Sequence, residues 1–237
     1  MSTDYVAVVT GAASGIGRAL ADALHARGAR LLLADIDADA LTTTADRLGA
    51  TAVTADVADP AAMETLAARA QGVSLVCLNA GIVGPSLGAV WDVPPDEWDR
   101  VFAVNVNGIV NGLRAFVPRL LAANARAHVL ITASLAGLAV FPAGGAYGPS
   151  KHAVTAIAQH AAMALADTPV TVSMICPALV ATGMSNEGIP PSVVAEDALK
   201  AVDDGNFALV PHEWHRAVTA QAERIVSGRA PTPPMPA

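Results

Sequence analysis

Tyr147 and Lys151 are the residues whose types and spacing point most directly to chemistry. They stand four positions apart in Tyr-Gly-Pro-Ser-Lys, and residues at this spacing share one face of a helix, so the phenol and the ammonium point the same way. A free tyrosine has a pKa of about 10, and acting as a base near neutral pH needs a shift of roughly 3 units, or about 4 kcal/mol. A nearby positive charge favours the ionised phenol. The pair is therefore a candidate for proton transfer, although an exposed phenol and a solvated lysine on a surface helix would give the same pattern.

A glycine-rich segment near the N-terminus supplies a candidate nucleotide site. Residues 10–17 read Thr-Gly-Ala-Ala-Ser-Gly-Ile-Gly, between a strand-like run and a helix candidate. Gly11 allows a tight turn, Gly15 lets the backbone approach a ligand and Gly17 permits close helix packing. Free amides of the turn, Ser14 and Ile16 included, and the positive end of the helix dipole favour a diphosphate. A glycine-rich turn without a ligand is the alternative.

Asp35 ends the second strand-like run, 24 residues after Gly11. An acidic side chain at this position can accept hydrogen bonds from both hydroxyls of an adenosine ribose, and it would repel a 2′-phosphate. No basic residue lies between Gly11 and Gly17. The sequence therefore favours NAD over NADP, and a helix-capping role for Asp35 is compatible with this prediction.

The elements that must position these residues alternate along the chain. Apolar strand-like runs occupy 5–10, 30–35, 50–54, 74–79, 127–133, 170–176 and 206–210. Helix candidates lie near 15–28, 38–48, 60–70, 95–122, 147–167, 192–203 and 211–228. Apolar strands separated by helices imply a parallel sheet covered on both faces. The predicted fold is a single doubly wound α/β domain over residues 1–230, a Rossmann-type fold of about seven strands, followed by a Pro-rich tail at 231–237.

Composition restricts the class of protein and its partners. The 237 residues are 53% hydrophobic and 15% charged, and no apolar run reaches the ~18 to 20 residues that span a bilayer. A net charge of −7 disfavours nucleic acid or an anionic membrane as a partner. The N-terminus lacks the features of a signal peptide, so a cytoplasmic protein is expected. Cys77 and Cys176 lie in apolar runs and are expected to be buried thiols.

These residues together resemble the short-chain dehydrogenase/reductase family over nearly the whole chain. Five signatures occur in the family's order: the glycine turn, the Asp56-Val57 pair, Asn79-Ala80-Gly81, the tetrad Asn105, Ser134, Tyr147 and Lys151, and the segment with Pro177, Val180 and Thr182. Two positions depart from the family pattern: Leu78 replaces an asparagine and Ala178 replaces a glycine.

The resemblance implies a mechanism. Lys151 would hydrogen-bond the nicotinamide ribose and, with the positive nicotinamide ring, lower the pKa of Tyr147. Tyr147 would exchange a proton with the alcohol or ketone oxygen, which Ser134 would hold. Asn105 would bind a water that links Lys151 to solvent. The implied cofactor residues are Gly11, Ser14, Gly15, Ile16, Gly17, Asp35, Asp56, Val57, Asn79, Ala80, Gly81, Tyr147, Lys151, Pro177, Val180 and Thr182.

The substrate and the assembly are less defined. In this family substrate contacts come from the loop after Ser134 and the segment after Thr182, so the candidate lining is apolar: Leu135, Leu138, Val140, Phe141 and Met184, with Ile82 and Val83. A secondary alcohol or ketone of mainly apolar shape is expected. The helix that starts at Tyr147 is apolar over most of its circumference, which predicts a homo-oligomer, a tetramer or a dimer. No metal site is expected, because His212 and His215 lack the spacing and the third ligand of a zinc motif.

Two other functions compete with an NAD-dependent alcohol dehydrogenase. One is an NADPH-dependent carbonyl reductase, which Asp35 opposes. The other is a regulatory protein that senses NAD(H) without chemistry, for which a broken tetrad would be the sign. All four tetrad positions are filled in this sequence.

Overall fold

Seven parallel strands form one sheet at the centre of the protein. The computed structural model describes residues 5–182 and 187–236. Its strands are β1 Val6–Thr10, β2 Arg30–Asp35, β3 Thr51–Thr54, β4 Val73–Leu78, β5 Ala127–Thr132, β6 Val170–Ile175 and β7 Ala208–Leu209. They are ordered β3-β2-β1-β4-β5-β6-β7, and each neighbouring pair is parallel. The prediction of a doubly wound sheet is confirmed.

Helices cover both faces of the sheet. They are α1 Gly15–Ala26, α2 Ala38–Leu48, α3 Pro60–Arg69, α4 Pro95–Phe102, α5 Gly108–Ala123, α6 Tyr147–Ala164, α7 Pro191–Asp203 and α8 His215–Val226. One buried cluster joins the sheet to α3, α5 and α6 and contains Phe116, and the other joins it to α1, α2 and α7 and contains Leu20. Strands buried on both faces explain why the strand runs are almost continuously apolar.

Two helix candidates are interrupted in the structure. The segment predicted as one helix at 95–122 is α4, a π-helical turn over Ala103–Asn107, and then α5. The segment predicted at 211–228 begins with a 3₁₀ turn over His212–Trp214 before α8. Both interruptions lie beside the candidate site, where π turns are frequent.

The sheet order also fixes where a ligand can bind. β1 lies between β2 and β4, so the chain winds outward in opposite directions from this strand. Open α/β sheets bind ligands in the crevice at the carboxyl ends of the strands where the winding reverses. Thr10, Asp35 and Leu78 end three of the strands at this edge.

The Pro-rich tail lies against its own chain over part of its length. The Gln221 amide donates to the carbonyl oxygen of Thr232 (3.1 Å), the Arg224 guanidinium donates to that of Ala230, and Pro234 is buried. The sequence predicted only that residues 231–237 form a Pro-rich tail after the domain. The described residues place it on α8. Among the residues described, no helix is long and apolar enough to cross a membrane.

Candidate active site

A cavity of about 1200 Å³ opens at the carboxyl edge of the sheet. Most of the predicted site residues lie on its wall. They are Gly11, Ser14, Gly15, Ile16, Asp35, Asp56, Val57, Asn79, Ala80, Gly81, Ser134, Leu135, Val140, Phe141, Tyr147, Lys151, Pro177, Val180 and Thr182. Segments that are far apart in the sequence therefore meet in one crevice.

Three of the predicted residues that the structure describes are not on this wall. Gly17 is buried behind the turn, where a Cβ would collide with the carbonyl oxygen of Gly11, as its packing role requires. Asn105 is also buried. Leu138 was predicted to contact substrate, but it packs against the core cluster beneath the sheet. Met184 lies outside the described residues.

The glycine turn presents unblocked backbone amides to the cavity. Gly11 has a φ of 68°, which a residue with a side chain rarely adopts, and this conformation turns the chain from β1 toward α1. Ser14 precedes α1 without making a side-chain capping hydrogen bond, and the first turn of the helix contains no acidic residue. The first-turn amides of α1 therefore remain available for an anion.

Asp35 holds the glycine turn as well as facing the cavity. One carboxylate oxygen accepts the amide of Ala13 (2.9 Å), and the other accepts the amide of Asp37 (3.0 Å). These bonds fix the carboxylate at the end of β2. A carboxylate oxygen can accept more than one hydrogen bond, so both remain able to meet ribose hydroxyls.

Asn79 ties three strands together at the floor of the cavity. Its side-chain amide donates to the carbonyl oxygen of Thr10 (3.1 Å), and its side-chain oxygen accepts the hydroxyl of Thr132 (3.0 Å). The Thr10 hydroxyl accepts the backbone amide of Asn79 (2.9 Å). Its neighbour Leu78, at a family asparagine position, is buried against Gly112. The sequence did not single out Thr10 or Thr132 for this role.

Lys151 is a buried cation without a carboxylate partner among the described residues. Its ammonium donates to the carbonyl oxygen of Thr132 (2.9 Å) and lies 5.7 Å from the centre of the Tyr147 ring. Burial lowers the pKa of Lys151 to about 8, against a smaller opposing effect of the Cys176 side chain. A buried ammonium is costly unless it has enough hydrogen-bond acceptors, and a ligand in the open cavity can supply further ones.

Tyr147 and Ser134 lie beside each other on the cavity wall. Burial raises the pKa of the Tyr147 phenol, and a hydrogen bond with the Ser134 side chain opposes this shift. The sequence suggested a lowered pKa, but in the protein by itself the cost of burying a phenolate is larger than the help from its neighbours. Ser134 is itself held in place, because its hydroxyl accepts the amide of Ala136 (3.1 Å).

Asn105 lies in the π turn and is buried, off the cavity wall. Its side-chain oxygen accepts the amide of Ile82 (2.8 Å), while its side-chain amide donates to the carbonyl oxygen of Ile82 (2.9 Å) and to the hydroxyl of Ser150 (3.0 Å). Asn105 therefore joins the loop after β4 to the helix that carries Lys151. The sequence identified the residue but suggested a contact with water.

A second connection, between Glu97 and Ser86, also holds the loop after β4, and the sequence did not predict it. The Glu97 carboxylate on α4 accepts both the backbone amide (2.8 Å) and the hydroxyl (2.6 Å) of Ser86. Serine after a strand, with an acidic residue at the start of the next helix, was the available signal, but it is common in loops.

The substrate end of the cavity has an aromatic wall. Phe141 packs edge-on against Trp214 with ring centres 5.7 Å apart, and both rings line the cavity. The sequence predicted no role for Trp214. An isolated tryptophan 73 positions after Phe141 gives no local signal of a contact.

Known proteins show which family this chain resembles in sequence. The family model described as short chain dehydrogenase matches residues 5–190. The 1-deoxy-11-beta-hydroxypentalenate dehydrogenase of Streptomyces avermitilis is 42% identical over 212 residues, which cover 83% of this chain and 78% of that protein. The 2-(R)-hydroxypropyl-CoM dehydrogenase of Xanthobacter autotrophicus is 37% identical over 193 residues, 76% of each chain.

A solved structure extends the similarity to the whole fold. A short chain dehydrogenase/reductase from Burkholderia phymatum, in complex with NAD, superposes with a TM-score of 0.93 at 32% identity and covers 99% of this chain and 98% of its own. This protein belongs to the short-chain dehydrogenase family. It is accordingly an oxidoreductase with a Rossmann-type fold.

Proposed function

We propose that this protein interconverts a secondary alcohol and a ketone with NAD(H). The observation that carries the proposal is the meeting of Tyr147, Ser134 and Lys151 on one wall of a cavity whose other end is the glycine turn. Two relatives are named as dehydrogenases of hydroxy compounds, which supports an alcohol as the substrate.

The residues present fit a dinucleotide. The uncapped first turn of α1 would hold the diphosphate, and Asp35 would hold the adenosine ribose. At the other end, a Cβ on Gly81 would stand 3.4 Å from the Lys151 ammonium, so the absence of a side chain leaves that ammonium reachable. When bound, the nicotinamide supplies the hydride acceptor or donor. Lys151 would bind its ribose.

Tyr147 would move the proton. In alcohol oxidation the phenolate takes the hydroxyl proton, and in ketone reduction the phenol returns it. The Ser134 hydroxyl would donate to the substrate oxygen as negative charge develops there. Burial raises the pKa of Tyr147. Positive charge at the cofactor end of the cavity would oppose this shift, because it favours the phenolate.

The substrate is expected to be mainly apolar. Leu135, Val140, Phe141 and Trp214 line the cavity beyond Ser134, and such a wall binds a hydrocarbon skeleton by removing it from water. The hydroxyl or carbonyl group would then be placed by Ser134 and Tyr147. This arrangement suits an alcohol whose carbon skeleton is large relative to its polar groups.

A panel of alcohols and ketones with both cofactors tests the proposal. We expect NADH absorbance to change with at least one secondary alcohol or ketone, and NAD to give the higher kcat/KM. Activity only with NADP would favour the reductase alternative. Tight NAD binding with no turnover across the whole panel would favour a sensing protein.

Tyr147→Phe tests the assignment of the proton donor. We expect kcat to fall by at least about 100-fold, because general acid–base catalysis contributes at least this much, while the Kd for NADH stays nearly unchanged. Tyr5→Phe is the matched control, since Tyr5 is the other tyrosine of the chain and lies just before β1, off the cavity wall. A Tyr147→Phe enzyme that kept a tenth of the parent kcat would contradict the assignment.

A further inference from the structure

The loop that forms the substrate wall is held by a side chain from the C-terminal helix. The Gln221 side-chain oxygen accepts the amide of Val140 (2.7 Å), and its side-chain amide donates to the carbonyl oxygen of Val140 (2.9 Å). The two residues are 81 positions apart. Val140 and Phe141 both line the cavity, so this pair of bonds fixes the backbone that presents them.

Only a carboxamide satisfies this arrangement fully. Gln221 is 7% exposed, and its nitrogen also donates to the carbonyl oxygen of Thr232 (3.1 Å), so both amide hydrogens and the oxygen have partners. An ionised glutamate would place an acceptor against the Val140 carbonyl. A leucine would leave a backbone donor and two acceptors without their partners in this partly buried contact.

The same segment supplies side-chain surface to the cavity. Trp214 lies in the 3₁₀ turn before α8, packs edge-on against Phe141 and lines the cavity. The tail in turn is fixed to α8 through Thr232 and through the bond from Arg224 to the Ala230 carbonyl oxygen. Loop, helix and tail are therefore connected through one buried side chain.

We infer that Gln221 and Trp214, in the C-terminal segment of residues 211–236, set the preference for large substrates over small ones. Gln221 is a positioning residue that holds Val140 and Phe141 in place, and Trp214 contacts the part of the substrate farthest from the reacting carbon. The inference rests on the proposed alcohol dehydrogenase function. It predicts that large substrates depend on this segment, whereas small ones do not reach it.

Gln221→Leu and Gln221→Glu test the positioning role with 2-propanol and 1-indanol as probes. For Gln221→Leu we expect the KM for 1-indanol to rise about tenfold, as loss of one or two hydrogen bonds implies. The KM for 2-propanol and the Kd for NAD should stay within about twofold. Equal changes in KM for both alcohols, or none, would overturn the inference.

Gln221→Glu gives a readout that general loss of packing would not give. A protonated carboxyl both donates and accepts, so it can replace both bonds to Val140, whereas the ionised form cannot donate. The ratio of the 1-indanol KM of the variant to that of the parent should therefore approach one at acid pH and increase as pH rises. Gln71→Glu, exposed in the turn after α3, is the matched control and should show a constant ratio.

Hydrogen exchange separates this inference from the proposed function. In Gln221→Leu, exchange should accelerate in peptides covering 138–145 and stay unchanged in those covering β1 and β2, whether or not any alcohol is oxidised. Should Gln221→Leu fail to fold, Trp214→Ala decides, with Trp91→Ala as control because Trp91 is 83% exposed and off the cavity wall. A Trp214→Ala enzyme with the parent preference for 1-indanol over 2-propanol would overturn the inference.

Discussion

Lys151 is kept charged and buried at the cost of a lowered pKa. Its ammonium has the Thr132 carbonyl oxygen as a partner, and burial brings its pKa down to about 8. Near neutral pH most molecules still carry the charge, but the pKa of Lys151 lies closer to neutral pH than the pKa of a solvated lysine. Ribose hydroxyls are acceptors that would raise this pKa again, so cofactor binding and the charge of Lys151 should support each other.

Asp35 is the residue on which we expect the cofactor preference to depend. Asp35→Ala should narrow the gap in kcat/KM between NAD and NADP, because it removes both the ribose acceptor and the charge that repels a 2′-phosphate. Since Asp35 also accepts hydrogen bonds from the amides of Ala13 and Asp37, the Kd for both cofactors should rise. Steady-state kinetics with each cofactor measures the ratio.

Asp37→Ala is the control for this change. It removes one carboxylate two residues away, where Asp37 caps α2 by accepting the amide of Ala40 (3.1 Å), and it leaves the cavity wall unaltered. We expect a stability loss of about 1 kcal/mol and no change in the cofactor ratio. Equal use of both cofactors by the parent enzyme would refute the role given to Asp35.

At the scale of elements, the π turn explains why Asn105 occupies a helical segment. Asparagine is a poor helix former because its side chain competes for backbone groups. In the π turn the Asn105 side chain instead hydrogen-bonds both backbone groups of Ile82 and the hydroxyl of Ser150. The turn thereby fixes the loop after β4 relative to the helix that carries Tyr147 and Lys151.

β5 carries a buried histidine that should make the fold sensitive to acid. His128 bonds Thr171 through Nδ1 (2.7 Å), and its Nε2 is buried without a partner in the described structure. Burial lowers the pKa of His128 from 6.5 to about 4, with a smaller opposing effect of Asp203. Between these pH values the unfolded chain binds a proton that the folded protein excludes.

Stability should therefore fall as the pH falls from 6.5 to 4. The depressed pKa corresponds to a loss of about 3 kcal/mol in the free energy of unfolding over this window, complete below pH 4. Urea unfolding at several pH values measures it, and His128→Asn should flatten the dependence. His25→Asn, at an exposed position in α1, should keep the parent dependence, and a parallel response of the two variants would contradict the explanation.

At the scale of the molecule, α6 links the active site to a candidate subunit interface. One face of this helix carries Tyr147 and Lys151 to the cavity, while Met163 on the same helix is 71% exposed. An exposed apolar side chain on an otherwise small-residue helix surface suits close packing against a second subunit. We propose a homodimer or homotetramer that uses this face.

Light scattering tests this assembly. The parent should be larger than a monomer at micromolar concentration, and Met163→Glu should shift it toward smaller species by placing a charge in the interface. Met235→Glu is the matched control, because Met235 is 74% exposed in the tail. A monomeric parent, or equal effects of the two variants, would contradict the proposal.

Local patterns in the sequence determined the elements and the order of the catalytic residues. Strand and helix periodicity predicted the sheet, because a strand buried on both faces has to be apolar throughout. Local patterns also predicted the glycine turn, Asp35 and the Tyr147–Lys151 pair, because each function needs its residues within one turn or at one strand end. The family membership that these signatures suggested is confirmed.

The tertiary structure alone decided which distant residues complete the site. Gln221 and Trp214 reach the loop after Ser134 only because α8 and the turn before it fold back onto that loop, and no spacing in the sequence encodes these contacts. The raised pKa of Tyr147 is likewise a property of the assembled fold, since burial depends on every segment around the phenol. Local chemistry needs a few neighbouring residues, whereas burial and long-range contacts exist only once the whole chain has packed.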